Sequence, residues 1–221
     1  MGYPTSCNIC FEHKAELGIG GLELSVKPFK QGENPTVMLV GLNPTLTKKK
    51  AHTVFELDNK KSPIYSYIVN DVSQPSGISL NDIYATNLIK CTFRDEPRII
   101  AGNVSGDRDN KAVKEFLAPF FNYCKGYFVA ELQEVKPRLV ISFGEVPHQF
   151  IVNELDLTKH NVKPKMKDAF ADIYQINACG RDFYYAPCIR VVAKRHPIFQ
   201  EAWEPFILRI RDIANSAPKV E

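Results

Sequence analysis

The sequence predicts an α/β protein built on a four-stranded parallel sheet with helices on both faces. Two observations carry this: four short apolar runs each end in a polar loop, and stretches with helical spacing lie between them. A third observation turns the fold towards function. The loops after the runs hold Asn and His side chains, and in open sheets of this kind ligands bind outside the carboxyl ends of the strands.

The first run, Thr36 to Val40, is followed by Gly41 and Pro44, which mark a tight loop. Ile83 to Ile89 follows a polar turn, and Arg138 to Phe143 sits between Pro137 and Gly144. Ile189 to Ala193, interrupted by Arg190, precedes His196 and Pro197 and supplies the fourth strand. Helices are expected over Pro63 to Val72, over Asn110 to Val135 with a break near Gly126, over Val146 to Leu155 and over Phe199 to Asn215. Ile173 to Ala178 and Phe183 to Ala186, joined by Cys179, Gly180, Arg181 and Asp182, predict an added hairpin. With no internal repeat and no low-complexity tract, residues 1–221 are expected to form a single domain.

The 221 residues, 44% hydrophobic and 24% charged, suffice for a full core. No apolar run approaches the roughly 20 residues that span a bilayer, and the first residues lack the basic-then-apolar pattern of a secretory signal, so a cytoplasmic protein without a membrane partner is expected. In that compartment six cysteines point to metal binding or burial rather than disulfides. A net charge of +3 permits nucleic-acid binding without demanding it. Lysines cluster at Lys48 to Lys50, at Lys60 and Lys61, at Lys163, Lys165 and Lys167, and at Lys194 beside Arg195, as solvated loops or as a phosphate-binding surface.

Four stretches carry the chemistry. V-M-L-V-G-L-N-P-T occupies 37 to 45, and V-V-A-K-R-H-P occupies 191 to 197. Phe55 stands fourteen residues after Gly41, and Thr86-Asn87-Leu88-Ile89-Lys90-Cys91 closes the second run. Cys7 and Cys10 form a C-x-x-C pair, with Cys91 and Cys124 downstream. The set resembles the uracil-DNA glycosylase superfamily, whose members pair a strand ending in G-x-[DN]-P with a late strand ending in H-P. The Phe55 spacing and the T-N-[VIL]-[VI]-K-C strand make it most similar to the iron-sulfur branch, family four, over about residues 1 to 210.

The resemblance implies a three-layer α/β/α sandwich and a monofunctional DNA-repair glycosylase, with DNA containing uracil or another deaminated base as partner and the chain acting as a monomer. Such an enzyme flips the target base into a pocket, stacks on its face and reads its edge. Phe55 is then the stacking face, and Gly41 and Leu42 line the pocket through their backbone. Asn87 reads the base through an amide that donates and accepts at once, matching uracil and mismatching cytosine. Breaking the glycosidic bond separates charge between sugar and base. His196 donates a hydrogen bond to the departing base, and Asn43 positions the attacking water, since an amide is no strong general base. Read without the resemblance, Phe55 is a core residue, Asn87 a turn former and His196 a helix cap.

Four thiolates suit a [4Fe-4S] cluster or tetrahedral zinc, which spacing does not separate. The resemblance implies the cluster on Cys7, Cys10, Cys91 and Cys124, in a structural role. It leaves Cys179 and Cys188 as small buried or edge residues.

The chain also departs from the pattern. The family-four loop reads G-E-A-P-G, whereas G-L-N-P-T is closer to the mismatch-specific and single-strand-selective branches, so hypoxanthine, xanthine or mismatched bases are alternative substrates. Thr45 replaces a Gly or a Tyr of other branches, Ile198 and Phe199 stand where relatives carry a wedge, and Arg94 to Asn110 is a polar insert. A non-catalytic protein binding damaged or single-stranded DNA is the alternative from another class.

Overall fold

The computed structural model describes residues 7, 9–12, 22–23, 26–43, 52–93, 107–190 and 193–216. In chain order these hold α1 (Ile9–Glu12), β1 (Leu22–Glu23), β2 (Phe29–Lys30), β3 (Val37–Gly41), α2 (Pro63–Ser66), β4 (Ile83–Asn87), β5 (Thr92–Phe93), α3 (Asp107–Val135), β6 (Leu139–Phe143), α4 (Glu145–Glu154), α5 (Met166–Ala169), β7 (Tyr174–Ala178), β8 (Arg181–Cys188) and α6 (Pro197–Asn215). β1 and β5 form a short antiparallel pair, and the other six strands form one sheet in the order β2-β4-β3-β6-β8-β7. β4, β3, β6 and β8 run parallel, and the two edge strands run antiparallel to their neighbours.

Successive side chains of a strand point to opposite faces. On β3 both sets are buried: Met38 and Val40 join one apolar cluster with Leu117, Phe120, Phe128 and Leu132 of α3, while Val37 and Leu39 join another with Phe206, Ile207 and Ile210 of α6. Two covered faces explain why the strands read as continuous apolar runs rather than alternating ones. The expected α/β class with helices on both faces is the observed one. Among the described residues no helix is long and apolar enough to cross a membrane.

Two expected elements are corrected. The fourth parallel strand is β8 and not Ile189 to Ala193, because the second arm of the hairpin itself continues beside β6 as far as the Phe143–Cys188 pair. The hairpin is therefore part of the main sheet. Its turn is the pair Cys179 and Gly180, both left-handed at φ 54 and 75, the geometry that matches the twist of a two-residue hairpin. Pro187, which cannot donate to a ladder, falls where β7 no longer pairs with β8. Ile189 and Arg190 have left the sheet, residues 191 and 192 lie outside the described residues, and Ala193–Arg195 is a 3-10 turn.

Likewise α3 runs unbroken through Gly126. The buried stripe Leu117, Phe121, Cys124, Phe128 and Leu132 crosses that position at helical spacing. A glycine costs a helix about 1 kcal/mol against alanine, less than burying any one of the large apolar side chains gains.

α2 continues into a π-helical stretch, Tyr67–Ser73. It seats Tyr67 under the sheet's carboxyl edge, with its hydroxyl donating to the Ile189 carbonyl at 2.6 Å. On the other face, Ser142, Tyr185 and His148 form a buried chain: Tyr185 Oη lies 2.7 Å from Ser142 Oγ and 2.8 Å from His148 Nδ1, and His148 Nε2 lies 2.8 Å from the Lys163 carbonyl. A carbonyl only accepts, so Nε2 carries the ring proton, Nδ1 accepts from Tyr185 and Tyr185 accepts from Ser142.

Burial holds the His148 ring neutral down to about 4. The unfolded chain takes up that proton near 6.5, so the contribution is fully present above that pH and is lost as pH falls towards the folded value, by about 3 kcal/mol at pH 4. The gap in melting temperature between pH 7 and pH 5 is expected to shrink in His148→Gln, whatever that variant's absolute stability. An equal gap in both proteins would remove His148 as the acid-sensitive group.

Candidate functional site

Gly41 and Asn87 are register partners on β3 and β4, so the two strands end at one level. A methyl group on Gly41 would stand 2.3 Å from Asn87 Oδ1 and 3.1 and 3.2 Å from Cζ and Cε1 of Phe55. Three residues distant in sequence thus meet at one point, and the missing side chain of Gly41 is what lets the amide and the ring approach its backbone so closely. Asn87 is 5% exposed, and the turn after it is fixed to the first motif, Leu88 N–H donating to the Gly41 carbonyl and Ile89 N–H to the Leu42 carbonyl, each at 2.9 Å.

Gly41→Ala is expected to keep the fold and lose any activity of this pocket by about a hundredfold, the cost of displacing a reacting group by roughly 1 Å. Full activity in the folded variant would place the reaction elsewhere.

Phe55 reaches this point through a backbone that side chains rarely adopt. It has φ 58 and ψ 17, and Glu56 follows at φ 51. Left-handed geometry costs about 1–2 kcal/mol per residue, and strain of this kind gathers at sites where it holds a side chain in place. The segment is pinned by Lys27 N–H donating to the His52 carbonyl and Val54 N–H donating to the Lys27 carbonyl, both at 3.0 Å. The Phe55 ring stands edge-on to Phe143 at 5.3 Å. Phe143 in turn contacts Tyr67 at 6.1 Å, and Tyr67 contacts Trp203 of α6 at 6.0 Å. That aromatic chain ties the Phe55 loop to the helix His196 caps.

Leu42 and Asn43 follow Gly41 half-buried at the carboxyl end of β3. Pro44, Thr45 and the lysines at 48 to 50 lie outside the described residues, as do residues 94–106 of the polar insert.

His196 is exposed and follows the carboxyl end of β8 by eight residues, β8 running parallel to β6. It is the N-cap of α6, with Pro197 as the first helical residue, and its Nδ1 accepts from Ile198 N–H at 3.3 Å. A ring accepting at Nδ1 carries its proton on Nε2, which leaves Nε2–H as the donor. Capping at Nδ1 therefore leaves the other ring nitrogen uncommitted to the cap. The segment before it is braced by Lys194, whose ammonium pairs with Asp71 at 3.1 Å and lies 4.8 Å above the Trp203 ring.

All six cysteines are free thiols. Cys10, Cys91 and Cys124 are buried and Cys7 is half-buried, and the four act on one another. The hydrogen bond with Cys124 favours the Cys10 thiolate, but the Cys91 hydrogen bond, burial and the charges of Cys91 and Cys7 outweigh it and push the thiol up to about 12. The Cys124 thiol is raised by its Cys10 hydrogen bond and by burial, against a hydrogen bond from the Lys90 backbone. As placed, no three His, Cys, Asp or Glu side chains among the described residues meet the geometry of a metal site. The donor set nonetheless fits a thiophilic cation: four sulfurs from three chain segments repel one another as thiolates, and the Lys90 charge beside Cys124 only partly opposes this. Cys179 occupies the hairpin turn, and Cys188 is buried 3.6 Å from the Tyr67 hydroxyl.

Missing from the sequence reading are Tyr84 and Glu131, which together with Lys90 form a buried polar group behind Asn87. One signal for it was available: Glu131 interrupts the apolar stripe of α3, seven residues after Cys124 and three after Phe128.

Against models of known protein families, residues 29–204 match the Uracil DNA glycosylase superfamily. No curated protein matches the chain.

Proposed function

The chain belongs to the Uracil DNA glycosylase superfamily, a DNA glycosylase of that type acting on DNA, and we propose that its substrate is uracil flipped out of the helix. The observation that carries this is the meeting of the Asn87 amide and the Phe55 ring over the bare backbone of Gly41. A flat base slides over Gly41, which has no side chain to obstruct it, and stacks on Phe55. Its edge meets an amide offering one donor and one acceptor, the complement of the adjacent carbonyl and N–H of uracil.

In the reaction, water oxygen bonds to the sugar C1′ as the bond from C1′ to the base nitrogen breaks, with that electron pair leaving on the base. Negative charge grows on the base and positive charge on the sugar, so fixed dipoles aimed at the base lower the barrier. His196 Nε2–H serves this role, its orientation set by the helix N–H held at Nδ1. Asn43, half-buried just past Gly41, orients the water, whose proton passes to solvent. No lysine nucleophile enters, so the product is an abasic site in an intact strand.

Cys7, Cys10, Cys91 and Cys124 would hold the [4Fe-4S] cluster, with zinc as the other metal suited to four thiolates. The group supplies folding energy rather than redox chemistry, because hydrolysis transfers no electron. Its ligands tie the N-terminal segment and α3 to the turn after Asn87.

The test is incubation of the anaerobically purified protein with a labelled oligonucleotide containing one uracil, followed by hot alkali. Strand cleavage at uracil is expected. Cleavage at hypoxanthine or xanthine instead would keep the glycosylase and change the base, and DNA binding with no release from any lesion would make this a binding protein.

A further inference from the structure

Behind the Asn87 turn lies a charged group that the chemistry above leaves unused. Lys90 and Glu131 are each 1% exposed, and Lys90 Nζ stands 2.6 Å from Glu131 Oε2. The same ammonium donates to Thr86 Oγ1 at 2.8 Å and to the main-chain carbonyl of Asn87 at 2.6 Å. Glu131 Oε1 accepts from the Tyr84 hydroxyl at 2.8 Å and from Thr86 Oγ1 at 3.0 Å. The ammonium thus faces Thr86 Oγ1, the Asn87 carbonyl and Glu131 Oε2 among the described residues, and the carboxylate is bonded at both oxygens.

Burying an ion pair this fully is a poor route to stability, since well-packed apolar residues of similar volume often serve as well or better. Burial works against the Lys90 charge and Glu131 works to restore it. What the pair does beyond packing is hold one main-chain atom, which Lys90 bonds at 2.6 Å and the Thr86 hydroxyl reaches at 3.5 Å. Two of the three acceptors belong to the network, and the third is the carbonyl of the residue that meets Gly41 and Phe55. On the opposite side of the turn, Leu88 and Ile89 are fixed to Gly41 and Leu42. The peptide from Asn87 to Ile89 is gripped from both sides, by β3 and by the ion pair.

We propose that Lys90 and Glu131 are positioning residues for Asn87, clamping its main-chain carbonyl and so setting the direction of the amide that reads the base. The proposal rests on the assignment of Asn87 as the base-reading residue. Either charge removed alone strands the other, so the informative change is the pair Lys90→Met with Glu131→Leu, or Lys90→Met with Glu131→Gln if the first does not fold.

Three measurements on the folded pair decide it. Amide exchange of the peptide spanning 86 to 91 is expected to quicken by about tenfold relative to the peptide spanning 37 to 41. Single-turnover release of uracil is expected to fall by about ten- to a hundredfold, with affinity for undamaged DNA unchanged, a loss in kcat that a merely structural role would not produce. Bound metal is expected to stay as in the wild type. A peptide as protected as in the wild type overturns the clamp whatever the enzyme does, and so does faster exchange with undiminished release. Loss of the metal would make the pair a support for the cysteines and overturn it too. If the wild type itself releases no uracil, the functional reading fails, while the exchange measurement still decides whether the pair holds Asn87.

Discussion

Asn87→Ala is expected to reduce uracil release by about 10²–10³-fold, the loss found when one preorganised hydrogen-bonding group is removed from a buried catalytic site. The reason is geometric before it is energetic. Asn87 is held at the end of β4 opposite Gly41, almost fully buried, and its amide oxygen points over that glycine. A base entering the space loses its water, and without the amide its buried edge goes unpaired at about 1–3 kcal/mol. Affinity for undamaged DNA is expected to stay within about twofold, because phosphate contacts set it and none involves a buried strand end. Single-turnover cleavage of a uracil oligonucleotide, beside a salt-matched binding titration of the same sequence without uracil, measures both. Release within threefold of wild type would take Asn87 out of the pocket and with it the uracil assignment.

Cys91→Ala carries the second large effect. Four thiols repel one another as thiolates in a buried setting, and a bound metal turns that repulsion into folding energy, on the order of 10–16 kcal/mol for structural zinc sites in small peptides. With the proposed cluster as the bound group, removing Cys91, 4% exposed and four residues after Asn87, is expected to abolish its brown colour, reduce iron from roughly four atoms per chain to none, and leave most of the protein insoluble. Cys188→Ala is the control, being a cysteine on the other side of the sheet's core with a tyrosine hydroxyl as neighbour; it is expected to keep its iron. A colourless wild type with one zinc per chain would replace the cluster with zinc. A wild type without metal, matched by a soluble Cys91→Ala, would leave the four cysteines as packing.

The layer order was legible because a strand buried on both faces cannot alternate. Val37 to Val40 and Leu139 to Phe143 are apolar at every position but Ser142, and that run is a property of local sequence. The fourth strand was misplaced for the same reason in reverse. Ile189 to Ala193 looks like a strand by composition, whereas β8 contains Arg181, Asp182 and Pro187; its place beside β6 is decided by pairing across the sheet. Gly126 was a plausible helix break until the apolar stripe of α3 was packed against β3, after which the local cost of the glycine was the smaller quantity.

The site divides in the same way. The sequence by itself pointed to Gly41, Phe55, Asn87 and His196 through short motifs that resemble those of a known family. Only the tertiary structure decided that Gly41, Asn87 and Phe55 share one point, since register between parallel strands joins residues 46 positions apart in sequence. It also decided that His196 presents Nε2–H, because the tautomer follows from a helix N–H that no sequence motif displays. The Lys90–Glu131 pair belongs wholly to this second class: two charges 41 residues apart become a clamp only when a helix and a strand turn close around them and exclude water.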